Sequence, residues 1–314
     1  MRWRGDPASI RGSIAPVVTP FTDAGDLDHE GLRRLVEWQL ESGSHGISLG
    51  GSTGEPSAQS VEERIAAMRT VTGVIGDRVP FLPGTGSAKL DETLEVTAAA
   101  AELGADAVLV ITPYYARPTQ EGLYRWYGAV AREFPDLPLI VYNVPVRTAV
   151  DVAPETVARL MRDFDNIVGI KETTRDFEHF SKVFHACGRD VLMWSGIELL
   201  CLPLLAIGGI GFISAVANLA PAAVAEMYER WTAGEHEEAR ELHYRLHPLV
   251  DLIFVETNPA PAKWVLEHRL GLLASDHVRP PLAPVSEAGV VRIEQLLAEA
   301  GDLVVQPTLE ASRS

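Results

Sequence analysis

Asn166-Ile167-Val168-Gly169-Ile170-Lys171-Glu172 is the stretch on which the reading of this chain turns. Ile167 to Ile170 have the length and composition of a short strand buried on both faces. Similar apolar runs, rich in Val, Ile and Leu, lie at 14–19, 46–50, 80–85, 107–112, 137–144, 191–196 and 211–215. Longer amphipathic stretches separate them. The stretch 28–43 carries Leu32, Leu35, Val36, Gln39 and Leu40 on one helical face and stops at Gly43. The stretch 60–76 opens on Ser60-Val61-Glu62-Glu63, a capping box in which serine and glutamate satisfy each other's backbone donors. The stretch 90–104 again stops at a glycine, and Pro154 stands where a helix's first turn tolerates its missing N–H. Eight strand–helix units within residues 12–232 predict a (β/α)₈ TIM barrel.

A doubly wound sheet is the competing α/β architecture. It calls for a glycine-rich phosphate turn after the first strand, and Val17-Val18-Thr19-Pro20-Phe21 has none. Gly84-Thr85-Gly86-Ser87-Ala88-Lys89 lacks the spacing of a P-loop. Residues 233–301, broken at Pro248, Pro259, Pro261 and Pro280-Pro281, read as a C-terminal helical extension of the 12–232 catalytic barrel, with 302–314 as a flexible tail.

The net charge of −16 excludes the basic face that nucleic acid requires. An anionic substrate must then be held by local positive groups rather than a global field. No charged residue falls within 199–225, but Pro203, Gly208, Gly209, Gly211 and Pro221 punctuate it, so a buried α/β unit is expected there and no membrane span. Cys187 and Cys201 stand alone among apolar or small residues, which suits a reducing compartment. Met1-Arg2-Trp3-Arg4-Gly5-Asp6-Pro7 has basic residues with no apolar core behind them, so no signal peptide is read and the cytoplasm is expected.

Catalytic groups of such a barrel sit at the C-terminal ends of its strands. Those ends read Gly50-Gly51-Ser52-Thr53-Gly54-Glu55, Thr112-Pro113-Tyr114-Tyr115, Tyr142-Asn143-Val144-Pro145-Val146-Arg147-Thr148, Lys171, Ser195-Gly196 and Ile213-Ser214. Hydroxyls, one arginine and one lysine converge, without a carboxylate pair. His45 precedes the second strand, with no second histidine at metal spacing, so no metal is called for. This set suits carbonyl chemistry. A neutral lysine can attack the ketone of a 2-oxo acid and form an imine that serves as electron sink, so no cofactor is needed. Ser52 and Thr53 would supply donors to the carboxylate, Tyr142 would move protons, and Arg147 would clamp a second carboxylate. Each residue also has a bland reading. Lys171 could reach water or pair with Glu172, Ser52-Thr53 could be turn chemistry, Tyr114-Tyr115 core or interface aromatics, and Arg147 a surface cation. Glu55 reads as a brace of its turn.

Gly51-Ser52-Thr53-Gly54-Glu55, Thr112-Pro113-Tyr114-Tyr115, Tyr142-Asn143-Val144-Pro145 with Arg147-Thr148, and Gly169-Ile170-Lys171-Glu172 together resemble the dihydrodipicolinate synthase / N-acetylneuraminate lyase family over residues 12–301. The resemblance implies a metal-independent Schiff-base lyase acting on pyruvate and a small aldehyde or 2-oxo acid. It implies the imine on Lys171, Tyr142 as proton shuttle, and Ser52 and Tyr115 completing a hydroxyl relay. Thr53 and the backbone near Ile213 would hold the pyruvate carboxylate, and Gly196 would leave room beside the imine. It also implies a homotetramer of two tight dimers, with Tyr115 lent across an interface. Arg147 looks like the synthase branch, which condenses pyruvate with aspartate semialdehyde in lysine biosynthesis. The wording around Ser52, with Val146 and Ala149 where the synthases carry a small polar residue and a glycine, keeps open a pyruvate-releasing aldolase or dehydratase for acidic 4-hydroxy-2-oxo acids. A binding protein for 2-oxo acids without turnover needs the same donors. Pro56, Val61, Arg64 and Ala88 stand where lysine-regulated relatives carry polar contacts, so no lysine inhibition is expected.

Overall fold

The computed structural model describes residues 6–307. Seven parallel strands form one sheet: β1 (Gly12–Pro16), β2 (Gly46–Ser48), β3 (Val108–Ile111), β4 (Leu139–Asn143), β5 (Ile167–Glu172), β6 (Leu192–Ser195) and β7 (Gly211–Phe212), in the order β2-β1-β7-β6-β5-β4-β3. The eighth expected strand, 80–85, is not a regular strand. It pairs only at Phe81 with Ile47 and at Gly84 with Leu109. Pro83 has no N–H to offer a ladder. The segment still joins the two edges: Leu82 N donates to Ile47 O (2.9 Å), Leu109 N to Pro83 O (2.9 Å), and Thr85 N to Leu109 O (2.9 Å). These bonds close the sheet into the expected barrel.

Two apolar layers follow from closure. Ile14, Leu82, Leu109, Ile140, Trp194 and Ile213 fill the barrel, and the Trp194 indole donates to Ile10 O (3.2 Å). The outward strand faces pack against the surrounding helices in one continuous cluster. The helix His29–Glu41 is capped by Asp28, and Val61–Ile75 carries the expected Ser60–Glu63 capping box. The charge-free stretch 199–225 resolves into the helix Cys201–Ala206, β7, a short 3₁₀ turn at Ala215–Asn218 and the start of Pro221–Thr232. Among the described residues no helix is long and apolar enough to cross a membrane.

Beyond the barrel come the helices His236–Arg245, His247–Leu252, Ala260–His268 and Glu287–Ala300. The first residues of the expected tail are held: Leu303 is buried, and Gln306 Nε2 donates to Arg269 O (3.1 Å). Residues 308–314 of that tail lie outside the described residues, as do residues 1–5 of the segment read for a signal peptide. Cys187 and Cys201 are free, and burial pushes the Cys187 thiol up to about 11.

Candidate active site

Strand register brings the first pair together. Tyr142 on β4 lies beside Lys171 on β5, which lies beside Trp194 on β6. Lys171 is buried but keeps 5% exposure, with Nζ 4.2 Å from the centre of the Tyr142 ring. The Tyr142 hydroxyl lies 3.3 Å from Ser52 Oγ. Lys171, Tyr142 and Ser52 therefore form one continuous line of side chains across three strand ends.

Glu172 is not the partner of Lys171. It accepts from Asn143 Nδ2 (3.0 Å) and Thr174 N (2.8 Å) and lies 3.2 Å from His179 Nε2. Burial disfavours the His179 imidazolium, but the hydrogen bond and charge of Glu172 outweigh it and raise the pKa. Asn143 and Glu172 directly follow Tyr142 and Lys171, so this buried network ties the two strand ends together.

Ser52–Gly54 is a single 3₁₀ turn entered from Gly50. Gly50 has φ +74°, and a Cβ there would stand 2.9 Å from Gly84 O, so only glycine lets the turn lie against the 80–85 segment. Arg64, also buried, donates to Gly84 O (3.1 Å) and Gly86 O (3.2 Å). Burial holds its pKa below the usual arginine range. Thr53 is buried, and its Oγ1 accepts from Asn258 Nδ2 at 3.0 Å. Glu55 closes the turn in the left-handed region (φ +53°) and pairs with Lys263 at 2.5 Å, so it braces the turn as expected.

A cavity of about 590 Å³ opens beside Tyr142 and Ser52, walled by Gly51, Ser52, Tyr142, Arg147 and Thr148. Arg64, Glu92 and Tyr114 also line it. Lys171, Thr53, Gly196 and Ile213 are not in this wall; Lys171 lies one side chain behind it, against the Tyr142 ring. A Cβ on Gly196 would stand 2.8 Å from Lys171 Cε. Arg147 projects from the short helix Pro145–Thr148 and makes no ion pair with the described residues. Ala149, where the sequence departs from glycine, adopts φ +56° and ends that helix in the left-handed region.

The Ile213 N–H donates to Ser195 O (2.8 Å), so it is not a free donor for a carboxylate. Within one chain Tyr115 does not reach the Ser52–Tyr142 pair; it is 95% exposed at φ +72°. His45 behaves as a structural residue, its Nδ1 accepting from Ser13 N (3.1 Å). Sequence reasoning missed Asn258, Lys263 and Glu198. Glu198 accepts from Ala215 N (2.9 Å) and Ser214 Oγ (3.2 Å), and burial pushes its carboxyl up. No local motif marks these three, because each meets a partner from a different element of the fold.

Comparison with known proteins matches the dihydrodipicolinate synthetase family to residues 9–300 of this chain. The chain belongs to that family. Among the family's curated members, a 4-hydroxy-tetrahydrodipicolinate synthase of Thermus thermophilus is 48% identical over 93% of this chain and 97% of its own length. That of Alcanivorax borkumensis is 42% identical, covering 95% of this chain and all of its own. Two solved dihydrodipicolinate synthetase family structures superimpose closely. The synthase of Methylacidiphilum fumariolicum SolV has a TM-score of 0.89 at 36% identity, covering 94% of this chain and 97% of its own. The chloride-inhibited enzyme of Acinetobacter baumannii, solved with pyruvate, has a TM-score of 0.88 at 40% identity, covering 93% and 99%.

Proposed function

We propose that this chain is a 4-hydroxy-tetrahydrodipicolinate synthase, condensing pyruvate with aspartate semialdehyde through an imine on Lys171. The reading is carried by one observation: Lys171 Nζ stands 4.2 Å from the Tyr142 ring, whose hydroxyl is 3.3 Å from Ser52 Oγ. The Lys171 amine attacks C2 of pyruvate, and the resulting carbinolamine loses water to give the imine. Tyr142 delivers the proton that leaves with that water and later removes one from C3, with Ser52 as the next hydroxyl in the relay. The enamine so formed attacks the aldehyde carbon. Thr53 binds the pyruvate carboxylate, Arg147 grips the carboxylate of the semialdehyde, and Gly196 gives the imine room.

Tyr115 completes the relay from a second copy of the chain, in a tetramer of two tight dimers. Its near-complete exposure in a left-handed conformation supports this, since a strained, bare aromatic side chain is what an interface would cover. We place the enzyme in the cytoplasm, where its two free cysteines stay reduced. Lysine at millimolar concentration leaves the rate unchanged, because Arg64 already puts a cation in the cavity wall; saturable inhibition by lysine would refute that statement.

The test is incubation with pyruvate and borohydride, followed by peptide mapping, alongside turnover assays with aspartate semialdehyde and with acidic 4-hydroxy-2-oxo acids. A stable adduct on the peptide bearing Lys171 and fastest turnover with the semialdehyde are expected. No adduct on folded protein ends the imine reading. An adduct with faster cleavage of the hydroxy-oxo acids replaces the synthase with an aldolase.

A further inference from the structure

The turn that carries Ser52 and Thr53 is held from the far end of the chain. Asn258 is 4% exposed and donates from Nδ2 to Thr53 Oγ1 at 3.0 Å, across 205 residues of sequence. Its Oδ1 is buried without a hydrogen-bond partner. Buried amides usually satisfy both ends; among the described residues the Asn258 side chain is anchored through Thr53 alone. Five residues on, Lys263 is wholly buried. Its Nζ lies 2.5 Å from Glu55 Oε1, donates to His277 O (2.8 Å) and sits 4.2 Å from the centre of the Phe21 ring. Glu55 Oε2 also accepts from Arg279 N at 3.0 Å. The Thr53 end of the 53–55 turn is thus tied to Asn258, just before the helix Ala260–His268, and the Glu55 end to that helix and the segment after it.

A threonine hydroxyl has one proton and two acceptor lone pairs. The Asn258 amide occupies the acceptor side of Thr53, which leaves the proton to be donated elsewhere. Lys263 neutralises Glu55, which would otherwise stand as a buried anion directly behind a site meant for a carboxylate.

We propose that Asn258 and Lys263, both outside the barrel, are positioning residues for the substrate carboxylate: Asn258 orients the Thr53 hydroxyl as a donor, and Lys263 holds the Glu55 end of the turn and cancels its charge. The inference rests on the reading of Thr53 as a carboxylate ligand. It adds to that site a set of residues supplied by the C-terminal extension.

Asn258→Asp keeps the shape of the side chain but turns the donor into an acceptor, which takes the Thr53 proton. The kcat/KM for pyruvate should fall about tenfold or more, the worth of one hydrogen bond to a charged group, while KM for aspartate semialdehyde stays within about twofold. In a Thr53→Val background the same change should have no further effect, because the group it acts through is gone. For Lys263, the double variant Lys263→Met/Glu55→Gln leaves no lone buried charge, and it should raise KM for pyruvate selectively. An unchanged pyruvate kcat/KM in Asn258→Asp overturns the proposal, as does an equal loss with and without Thr53. Equal losses for both substrates in the double variant overturn the Lys263 part. Wild-type protein is trapped with borohydride in parallel. If it gives no adduct, the function reading fails and Thr53 loses its substrate role with it; a normal wild type with unaffected variants sinks the positioning proposal alone.

Discussion

Gly196→Ala is the sharpest perturbation that the site offers. The added methyl would stand 2.8 Å from Lys171 Cε and closer still to Thr173 Cγ2. Ordinary contact begins at 3.4 Å, so Cε must retreat by 3.4 − 2.8 = 0.6 Å, and the bonded Nζ is displaced with it. Neither neighbour has slack. Lys171 is pressed against the Tyr142 ring, and Thr173 is fixed by its N–H to Asn143 O (3.1 Å) and by a second, shorter bond from its hydroxyl to the same oxygen. Overpacking of this kind destabilises by about 1–3 kcal/mol. Misplacing the reacting amine by about 1 Å lowers turnover by about 10²-fold. The assay pairs initial rates with pyruvate and aspartate semialdehyde against the rate of borohydride trapping, with urea unfolding to measure stability. Gly73→Ala is the control: no atom lies within 4 Å of its added Cβ, so it should keep full rate and gain about 1 kcal/mol or less of helix stability. Trapping of Gly196→Ala at the wild-type rate would refute the assignment of Lys171 as the imine-forming group beside Gly196.

Tyr142→Phe keeps the ring against Lys171 and removes only the hydroxyl, so turnover should drop by ~10²–10⁴ with the fold unchanged; a normal rate would mean that the protons travel another way. Ala149→Gly relieves a residue held at φ +56° and should raise stability by about 1 kcal/mol or less, read by thermal unfolding; a loss of stability would show that the left-handed position is not strained. Lys263 gives a pH dependence whose sign is fixed. Burial lowers its pKa from 10.5 to about 8, so between those values the folded chain holds fewer protons than the unfolded one and stability rises with pH. The unfolding free energy of wild type minus that of Lys263→Met should climb across this window by at most about 1.4 kcal/mol per pH unit. A flat or falling difference would contradict a lowered Lys263 pKa.

The 80–85 segment shows where pattern reading overshoots. Its apolar run is real and it does close the barrel, yet Pro83 denies it a regular ladder. A proline within a strand-like run is visible in the sequence; that its neighbours would still bridge two edges is not. Glu172 teaches the converse. Beside Lys171 in the chain it looks like an ion-pair partner, but successive residues of a strand point to opposite faces, and its carboxylate goes to Asn143 and His179.

Local patterning by itself determined the barrel and the strand ends that carry Ser52, Tyr142, Arg147 and Lys171, because strand period and turn chemistry act over a few residues. The family resemblance marks Ala149, an alanine where the synthases carry a glycine, although only the backbone shows the left-handed turn behind it. Tertiary structure alone decided that Ile213 spends its N–H on Ser195, that Tyr115 stands exposed within one chain, and that Asn258 and Lys263 reach the turn at Thr53 and Glu55. Those outcomes depend on which residues meet across the closed barrel and its C-terminal helices. No short-range signal encodes a hydrogen bond between positions 53 and 258.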